Sequence, residues 1–197
     1  MLTLNNYSAT TNLLQFVRLM EVVNTLWKAN PNNSPKRMDI SRDDVQTLFI
    51  ALNRHNVRYL LVGGLAGVVH GHVRATQDLD LWIQVGDDNK DRLILALQEN
   101  DVAGAELLKN TPLLFGWTSV VTGENGLTLD MGHALKAFGE LDFDACYGRS
   151  LLASFDGVPF RVIHLSDLIK EKQATGRLKD LADVEELQKI QKDRNAD

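Results

Sequence analysis

Two aspartates one residue apart, Asp78 and Asp80, are the side chains whose type and spacing most directly suggest chemistry. They alternate with Leu79 and Leu81, which is the pattern of a strand, so both carboxylates face the same side of it. Two carboxylates on one strand face repel each other unless a cation or a proton lies between them. Oxygen ligands of this kind suit Mg²⁺ or Mn²⁺. The pair therefore predicts a site for a divalent metal ion.

A glycine pair shortly before the aspartates provides a complementary feature. Gly63 and Gly64 follow a short apolar run at residues 57–62 (VRYLLV), which is typical of a buried strand that stops abruptly. A turn at the two glycines and helical character at residues 65–70 follow. A glycine backbone can approach a phosphate closely, and the N–H groups that open a helix attract anions. The sequence thus predicts a phosphate-binding turn opposite the metal-binding pair.

A third candidate acid, Asp130, lies on a predicted hairpin. Residues 117–121 and 127–131 read as two strands joined by a turn that contains Asn125 and Gly126, a strong hairpin signal. Alternation along the second strand places Asp130 on its polar face. Asp130 either joins the acidic pair or caps the following turn, and the strand context favours the first role. A second D-x-D at residues 142–144 is predicted to lie in helix or loop.

These residues resemble the nucleotidyltransferases of the DNA polymerase beta superfamily. The family motif is a hydrophobic residue, a glycine, a glycine or serine, a spacer, and two acidic residues one apart on a strand. Val62, Gly63, Gly64, Asp78 and Asp80 match it, with a long spacer of thirteen residues. The order R-x-T-x-D-x-D that ends at Asp80 is more similar to a minimal bacterial subgroup, which includes abortive-infection toxin nucleotidyltransferases.

The resemblance implies a fold, a reaction and a cofactor. The fold would be α/β (α+β): a small mixed β-sheet flanked by helices, forming a nucleotidyltransferase-like palm. Asp78, Asp80 and Asp130 would hold two Mg²⁺ (or Mn²⁺) ions, and Gly63 and Gly64 would hold the β and γ phosphates of a nucleoside triphosphate. The reaction would move a nucleoside monophosphate to a hydroxyl of RNA, protein or a small molecule.

The C-terminal part carries a further resemblance to these minimal transferases. Residues 167–183 read DLIKEKQATGRLKDLAD, similar to a tail of the form D-L-I-x-x-K followed by R-x-K-D-x-x-D. We expect two helices broken at Gly176, which could set Lys172 and Arg177 beside a triphosphate or acceptor. Helix-surface ion pairing is the alternative. It is equally favoured for Lys172, and it is preferred for Lys179, four residues before Asp183.

Four polar residues surround the central motif. Arg74 could contact a phosphate or pair with Asp78, and Thr76 could order the entry to the strand by hydrogen bonding, so we assign both to the nucleotide site. His70 and His72 superficially resemble a metal-binding pair. A segment that ends a helix would aim them apart, so we interpret them as polar residues filling the helix end.

The N-terminal part predicts a separate helical extension. Residues 11–30 carry apolar side chains at spacings of three and four, and residues 31–35 (PNNSP) read as a linker after a loose stretch at residues 1–11. We therefore divide the chain into an extension at 1–40 and a nucleotidyltransferase-like domain at 41–197. The apolar stripe either packs on the domain's own core, which is favoured, or binds a partner protein. Residues 188–197 read as a frayed tail.

Composition sets the remaining limits. With 197 residues, 44% of them hydrophobic, the chain can form one well-buried domain with a small appendage. A net charge of −5 argues against a broad basic surface for duplex binding. The single cysteine, Cys146, excludes an internal disulfide framework. Without a secretion signal or an apolar run of about 18 residues, we expect a cytoplasmic protein that does not span a membrane.

Two other classes of function stay open at this point. A catalytically silent nucleotide-binding module of the same fold, such as a regulatory partner in a toxin–antitoxin pair, would keep the turn without turnover. A metal-dependent phosphohydrolase would use the same acids with water as acceptor. The presence of three candidate acids favours the transferase.

Overall fold

The computed structural model of the protein describes residues 6–29, 42–110, 117–122 and 126–196. Seven α-helices and six strands occur in this part of the chain, with 3₁₀ turns at Ala105–Lys109 and Glu140–Asp142. In chain order they are α1 Asn6–Ala29, α2 Arg42–Arg54, β1 Tyr59–Val62, α3 Gly63–Val69, β2 Asp78–Ile83, α4 Asp87–Glu99, β3 Trp117–Thr122, β4 Leu127–Gly132, α5 Phe143–Arg149, β5 Leu151–Phe155, β6 Val158–Val162, α6 Leu165–Thr175 and α7 Leu178–Ala196.

The strands form one six-stranded mixed sheet in the order β3-β4-β2-β1-β6-β5. β1 pairs antiparallel with β2 and parallel with β6, whereas β2 pairs parallel with β4. The hairpins β3–β4 and β5–β6 close the two edges. All four residues of β1 are buried, as expected of a short apolar strand at the centre of a sheet. The predicted α/β class, a mixed sheet flanked by helices, is confirmed.

The register of the central strands places the acids. In the parallel pair of β2 and β4, Asp80 lies opposite Asp130 and Asp78 lies opposite Thr128. Val62 at the end of β1 pairs with Asp80 from the other side, so the glycine turn that follows it lies next to the same carboxylate. The chain thus brings together the glycine turn, the D-x-D strand and the hairpin.

Helix α1 packs on the core of the sheet domain. Its buried residues are Ala9, Leu13, Phe16 and Met20, and the helix contacts β5 and α3. Val22 and Leu26 near its C-terminal end are exposed. The helix starts at Asn6 and not after residue 11, so the expectation of a loose start is wrong over residues 6–11. The predicted linker at 31–35 lies outside the described residues.

Several other elements differ from the sequence prediction. The connection after α4 contains the 3₁₀ turn at Ala105–Lys109, and α5, β5 and β6 lie between the predicted hairpin and the C-terminal helices. The second D-x-D, at 142–144, lies at the 3₁₀ turn and the start of α5, as predicted. Helix α7 continues to Ala196 because buried Leu187 anchors it and the guanidinium of Arg194 donates to the His70 carbonyl at 2.6 Å. Residues 188–196 of the predicted frayed tail are therefore helical.

Among the described helices, none combines the length and the apolar character that crossing a bilayer requires.

Candidate active site

Three carboxylates converge on one face of the sheet. Asp78 and Asp80 come from β2 and Asp130 comes from β4, each of them partly buried. One carboxylate oxygen from each residue lies within 4.8 Å of the other two. The two parallel strands produce this cluster because their register sets Asp80 directly beside Asp130. The three acids predicted from the sequence are therefore neighbours in the fold.

The electrostatics of Asp80 show how much negative charge the cluster concentrates. The pKa of its carboxyl is raised from 3.8 to about 6, mainly by burial and in addition by the charges of Asp78 and Asp130. A hydrogen bond from the backbone N–H of Gly64 and the more distant charge of Lys172 oppose that rise only partly. Three carboxylate donors with uncompensated repulsion suit a hard divalent cation, so the residues present fit Mg²⁺ or Mn²⁺.

The two outer carboxylates are oriented by hydroxyl groups. The Thr76 hydroxyl donates to Oδ1 of Asp78 at 3.2 Å, and the backbone N–H of Gln77 donates to the same oxygen at 3.2 Å. On the other side, the Ser119 hydroxyl donates to Oδ1 of Asp130. Thr76 therefore lies at the strand entry as expected. Ser119 had not been singled out, although its position on the hairpin opposite Asp130 was a signal that could have identified it.

The two glycines leave room for side chains of the acidic site, Asp80 at Gly63 and Thr76 at Gly64. Gly63 has a positive φ of +66°, and a Cβ at this position would lie 1.8 Å from Oδ2 of Asp80. A Cβ at Gly64 would lie 2.5 Å from the Thr76 hydroxyl oxygen. Helix α3 begins at Gly63, immediately after β1, so no separate turn of two residues intervenes. The sequence predicted that the missing side chains leave space for a phosphate. In the structure, Asp80 and Thr76 fill the space into which the Cβ atoms would point.

Asp183 on α7 binds three basic side chains from two separate parts of the chain. Arg74 donates to it twice, from Nε and Nη2, each at 2.6 Å, and Nζ of Lys172 donates at 2.6 Å. Nε2 of His72 lies 3.0 Å from the same carboxylate. Burial acts to raise the pKa of Asp183, but the hydrogen bonds from His72, Arg74 and Lys172 outweigh it and hold that pKa well below its usual range. Asp183 is therefore a buried, ionised anchor.

Arg74 consequently has a partner that the sequence did not indicate. Its guanidinium pairs with Asp183 and not with Asp78, and Nη2 lies 3.5 Å from where a Cβ of Gly64 would be. Nη1 donates to the Ala75 carbonyl at 3.0 Å. Among the described residues, these three bonds leave two of the five guanidinium N–H groups without an acceptor. Arg74 thus lies against the glycine turn, where the sequence predicted a role at the site.

Lys172 and Arg177 are bound by the acids of α7. Lys172 is buried, and its Nζ lies 3.5 Å from Asp180 in addition to its bond with Asp183. Arg177 is largely exposed and donates from Nε to Asp180 at 2.5 Å. The helices meet at Gly176, whose φ of +69° permits the break that the sequence predicted. Lys179 is exposed, and the pairing expected for it is wrong because Asp183 binds other partners.

The two histidines contact different partners. His70 is fully buried and its Nε2 lies 2.8 Å from the Ile163 carbonyl, while burial lowers its pKa from 6.5 to about 4. His72 contacts Asp183. His70 lies at the C-terminal cap of α3, as interpreted, whereas His72 has a partner on α7 that the sequence did not indicate.

Comparison with known proteins yields similarity to solved structures only. No protein-family model matches the chain, and no curated protein matches it. Among solved structures, the chain is similar to an antigenic nucleotidyltransferase-like protein from Paracoccidioides brasiliensis, with a TM-score of 0.46, 18% sequence identity and 76% of each chain covered. The chemistry of the site is therefore inferred from the three carboxylates and the groups around them.

Proposed function

We propose that this protein is a metal-dependent nucleotidyltransferase that moves a nucleoside monophosphate from a nucleoside triphosphate to an acceptor hydroxyl. The observation that carries the proposal is the cluster of Asp78, Asp80 and Asp130, whose oxygens lie within 4.8 Å of one another beside the glycine turn. The motif that orders these residues resembles the DNA polymerase beta superfamily. Within that resemblance, the minimal toxin-type subgroup is the closer fit to the R-x-T-x-D-x-D order.

The three acids Asp78, Asp80 and Asp130 would hold Mg²⁺ or Mn²⁺, and Asp130 is the one we assign to the side of the acceptor. When bound, the metal supplies neutralisation of the triphosphate charge and a lower pKa for the attacking hydroxyl. Asp78 is held in place by Thr76, and Asp130 by Ser119, so that two of the three ligands are oriented in advance.

The bond changes are those of an in-line displacement at phosphorus. The acceptor oxygen forms a bond to the α phosphorus, while the bond from that phosphorus to the bridging oxygen of the β phosphate breaks. Pyrophosphate leaves with the electron pair. The hydroxyl proton passes to a carboxylate, for which Asp130 is the candidate on the acceptor side.

The basic residues divide into contact and support roles in this proposal. Arg74, beside Gly64, keeps N–H groups for a phosphate at the turn. Arg177 is exposed. Its pKa is raised first by the hydrogen bond with Asp180 and also by the negative charges of Asp80 and Asp78, so Arg177 is electrostatically coupled to the acid cluster. Lys172 is buried and would act on the triphosphate through Asp183, by holding the carboxylate that positions Arg74.

The test compares wild type with Asp130→Ala. Each of the four radiolabelled nucleoside triphosphates is incubated with Mg²⁺ or Mn²⁺ and a cell extract as the source of acceptors. Wild type should label RNA, protein or a small molecule. Asp130→Ala should bind the triphosphate by calorimetry and label nothing, because the acceptor side of the site is lost. Asp144→Ala, in the exposed second D-x-D, is the matched control and should label like wild type.

Each contrary outcome selects another reading. Equal labelling by Asp130→Ala would remove that residue from the mechanism. Triphosphate binding without any labelling by wild type would favour the silent nucleotide-binding module or toxin–antitoxin partner. Phosphate release without labelling would favour the phosphohydrolase.

A further inference from the structure

The edge strand β3 extends the face of the sheet that carries the acids. Ser119 lies opposite Asp130, which in turn lies opposite Asp80. Trp117 and Val121, two residues to either side of Ser119, point to the same face. Their side chains are 39% and 50% exposed. An apolar surface therefore borders the acid cluster on the side of Asp130.

The indole of Trp117 lies flat over Gly132 on β4. A Cβ at Gly132 would lie 2.9, 3.0 and 3.1 Å from the ring atoms Cε2, Cδ2 and Nε1. Near-equal distances to three atoms of the five-membered ring mean that Gly132 lies under the face of that ring and not at its edge. A side chain at position 132 would displace the indole. One ring face is thus covered by the strand.

Covering a glycine on an edge strand is a known way to stabilise a sheet, and it explains the inner face of this indole. Covering Gly132 does not explain why the other face of the indole lies beside the carboxylates. Aromatic faces that stay open beside a nucleic-acid site are used to stack bases, because every base has a π-face and stacking needs no particular sequence. The position of Trp117 on the acidic face favours such a use.

The spacing along β4 limits what could stack there. Gly132 follows Asp130 by two residues, which corresponds to roughly 7 Å along a strand. A phenol carries its hydroxyl directly on the ring, so the oxygen of a tyrosine centred on Trp117 lies closer to its ring than this spacing. A serine has no ring. A nucleotide separates its base from its 3′ hydroxyl by a ribose, which suits the spacing.

We propose that Trp117 stacks on a base of the acceptor, and that the acceptor is the unpaired 3′-terminal nucleotide of a nucleic-acid strand. The proposal rests on the nucleotidyltransferase function. The net charge of −5 is compatible with it, since a single stacked base requires no broad basic surface of the kind that binds a duplex backbone.

Binding of short 5′-labelled single strands by fluorescence anisotropy tests this proposal without turnover. RNA and DNA oligonucleotides of one sequence distinguish the two sources of a 3′ end, and a labelled peptide with Ser and Tyr represents a protein acceptor. Trp117→Leu keeps an apolar cover over Gly132 but removes the aromatic face, so binding should weaken about tenfold. Trp117→Phe should retain most of the affinity. Leu152→Ala, exposed on the opposite edge strand, should bind like wild type.

Melting temperature and triphosphate affinity are measured for each variant, and both should stay close to wild type for Trp117→Phe and Trp117→Leu. Equal strand binding by the Phe and Leu variants, no strand binding by wild type, or peptide binding that depends on Trp117 would each overturn the proposal. Strand binding that depends on Trp117 in a protein without transfer activity would uphold the stacking site and overturn only the proposed reaction. Transfer to a strand with unchanged labelling by Trp117→Leu would overturn only the stacking site.

Discussion

At the scale of single residues, Asp80 is a buried carboxylate with two other carboxylates beside it, and the function is inferred from this repulsion. Its carboxylate lies between Asp78 and Asp130 and against the backbone of Gly63, where no other residue would fit. Burial and the two neighbouring charges raise its pKa to about 6. A group whose folded pKa lies above its unfolded value opposes folding when it is ionised. Asp80 therefore lowers the stability of the metal-free protein at neutral pH.

Asp80→Asn should accordingly stabilise the metal-free protein at pH 7.5 by roughly 1–3 kcal/mol. The gain should be complete above pH 6 and should vanish as pH falls below about 4, because Asp80 is then protonated in both the folded and unfolded states of the wild type. Urea denaturation in EDTA at several pH values measures the difference between the two proteins. Asp91→Asn, exposed on α4, should change little.

Added Mg²⁺ should reverse the order, since only the wild type keeps the full set of ligands. A variant that lost several degrees of melting temperature without metal would contradict the metal-site interpretation. Asp80 would then be a partner in a structural ion pair.

At the scale of elements, α6, α7 and the segment before β2 are joined through one carboxylate. Asp183 on α7 binds Lys172 of α6 and Arg74 of the preceding segment. Lys172 and Asp183 are nearly inaccessible to solvent, so removal of one partner leaves charge buried without compensation. This junction places Arg74 beside the glycine turn. The C-terminal helices therefore affect the site even though the metal ligands lie on the sheet.

Asp183→Asn should destabilise the protein by roughly 3 kcal/mol at pH 7, because Lys172 and Arg74 lose their shared anion. It should also weaken triphosphate binding, since Arg74 is no longer held at the turn. The stability that Asp183 contributes is present above its unfolded pKa near 3.8 and is lost as pH falls further, because its folded pKa is depressed. Urea denaturation and calorimetric titration measure the two effects.

Glu186→Gln is the control for this prediction, because Glu186 makes an exposed i,i+3 pair with Lys189 on the same helix. It should leave both measurements unchanged. Full stability of Asp183→Asn would mean that water replaces the carboxylate at this junction.

At the scale of the whole molecule, the main question is whether α1 folds together with the sheet domain or as a separate extension. The division of the chain at residue 40 stays a prediction, but the helix buries Leu13, Phe16 and Met20 against the domain. A helix that contributes fully buried aromatic volume is expected to unfold together with the sheet. Its exposed residues Val22 and Leu26 lie toward the other end, where a partner protein remains a proposal.

Phe16→Ala should therefore lower the free energy of unfolding of the entire protein by about 3–5 kcal/mol in a single transition. Val22→Ala, on the exposed side of the same helix, should cost a few tenths of a kcal/mol at most. Denaturation followed by circular dichroism and by tryptophan fluorescence measures both. A separate early transition, with the remaining domain unaffected by Phe16→Ala, would show that α1 is a detachable extension.

The sequence by itself determined the features that depend on local pattern. Alternation within β2 set Asp78 and Asp80 on one face, the Asn-Gly turn indicated the hairpin that carries Asp130, and Gly176 marked the break between the last two helices. These features could be predicted because strand alternation and turn geometry are set by neighbours along the chain. The class of the fold was implied by the family resemblance that these motifs carry.

The tertiary structure alone decided which groups face each other across the molecule. Arg74 and Asp183 are 109 residues apart, and Arg194 and His70 are 124 apart, so no local pattern relates them. The same holds for the crowding of Gly63 by Asp80, which depends on the pairing of β1 with β2. Pairings of this kind arise only when the strands and helices pack. Packing excludes water from a charged side chain, which then needs an oppositely charged or hydrogen-bonding partner from another element.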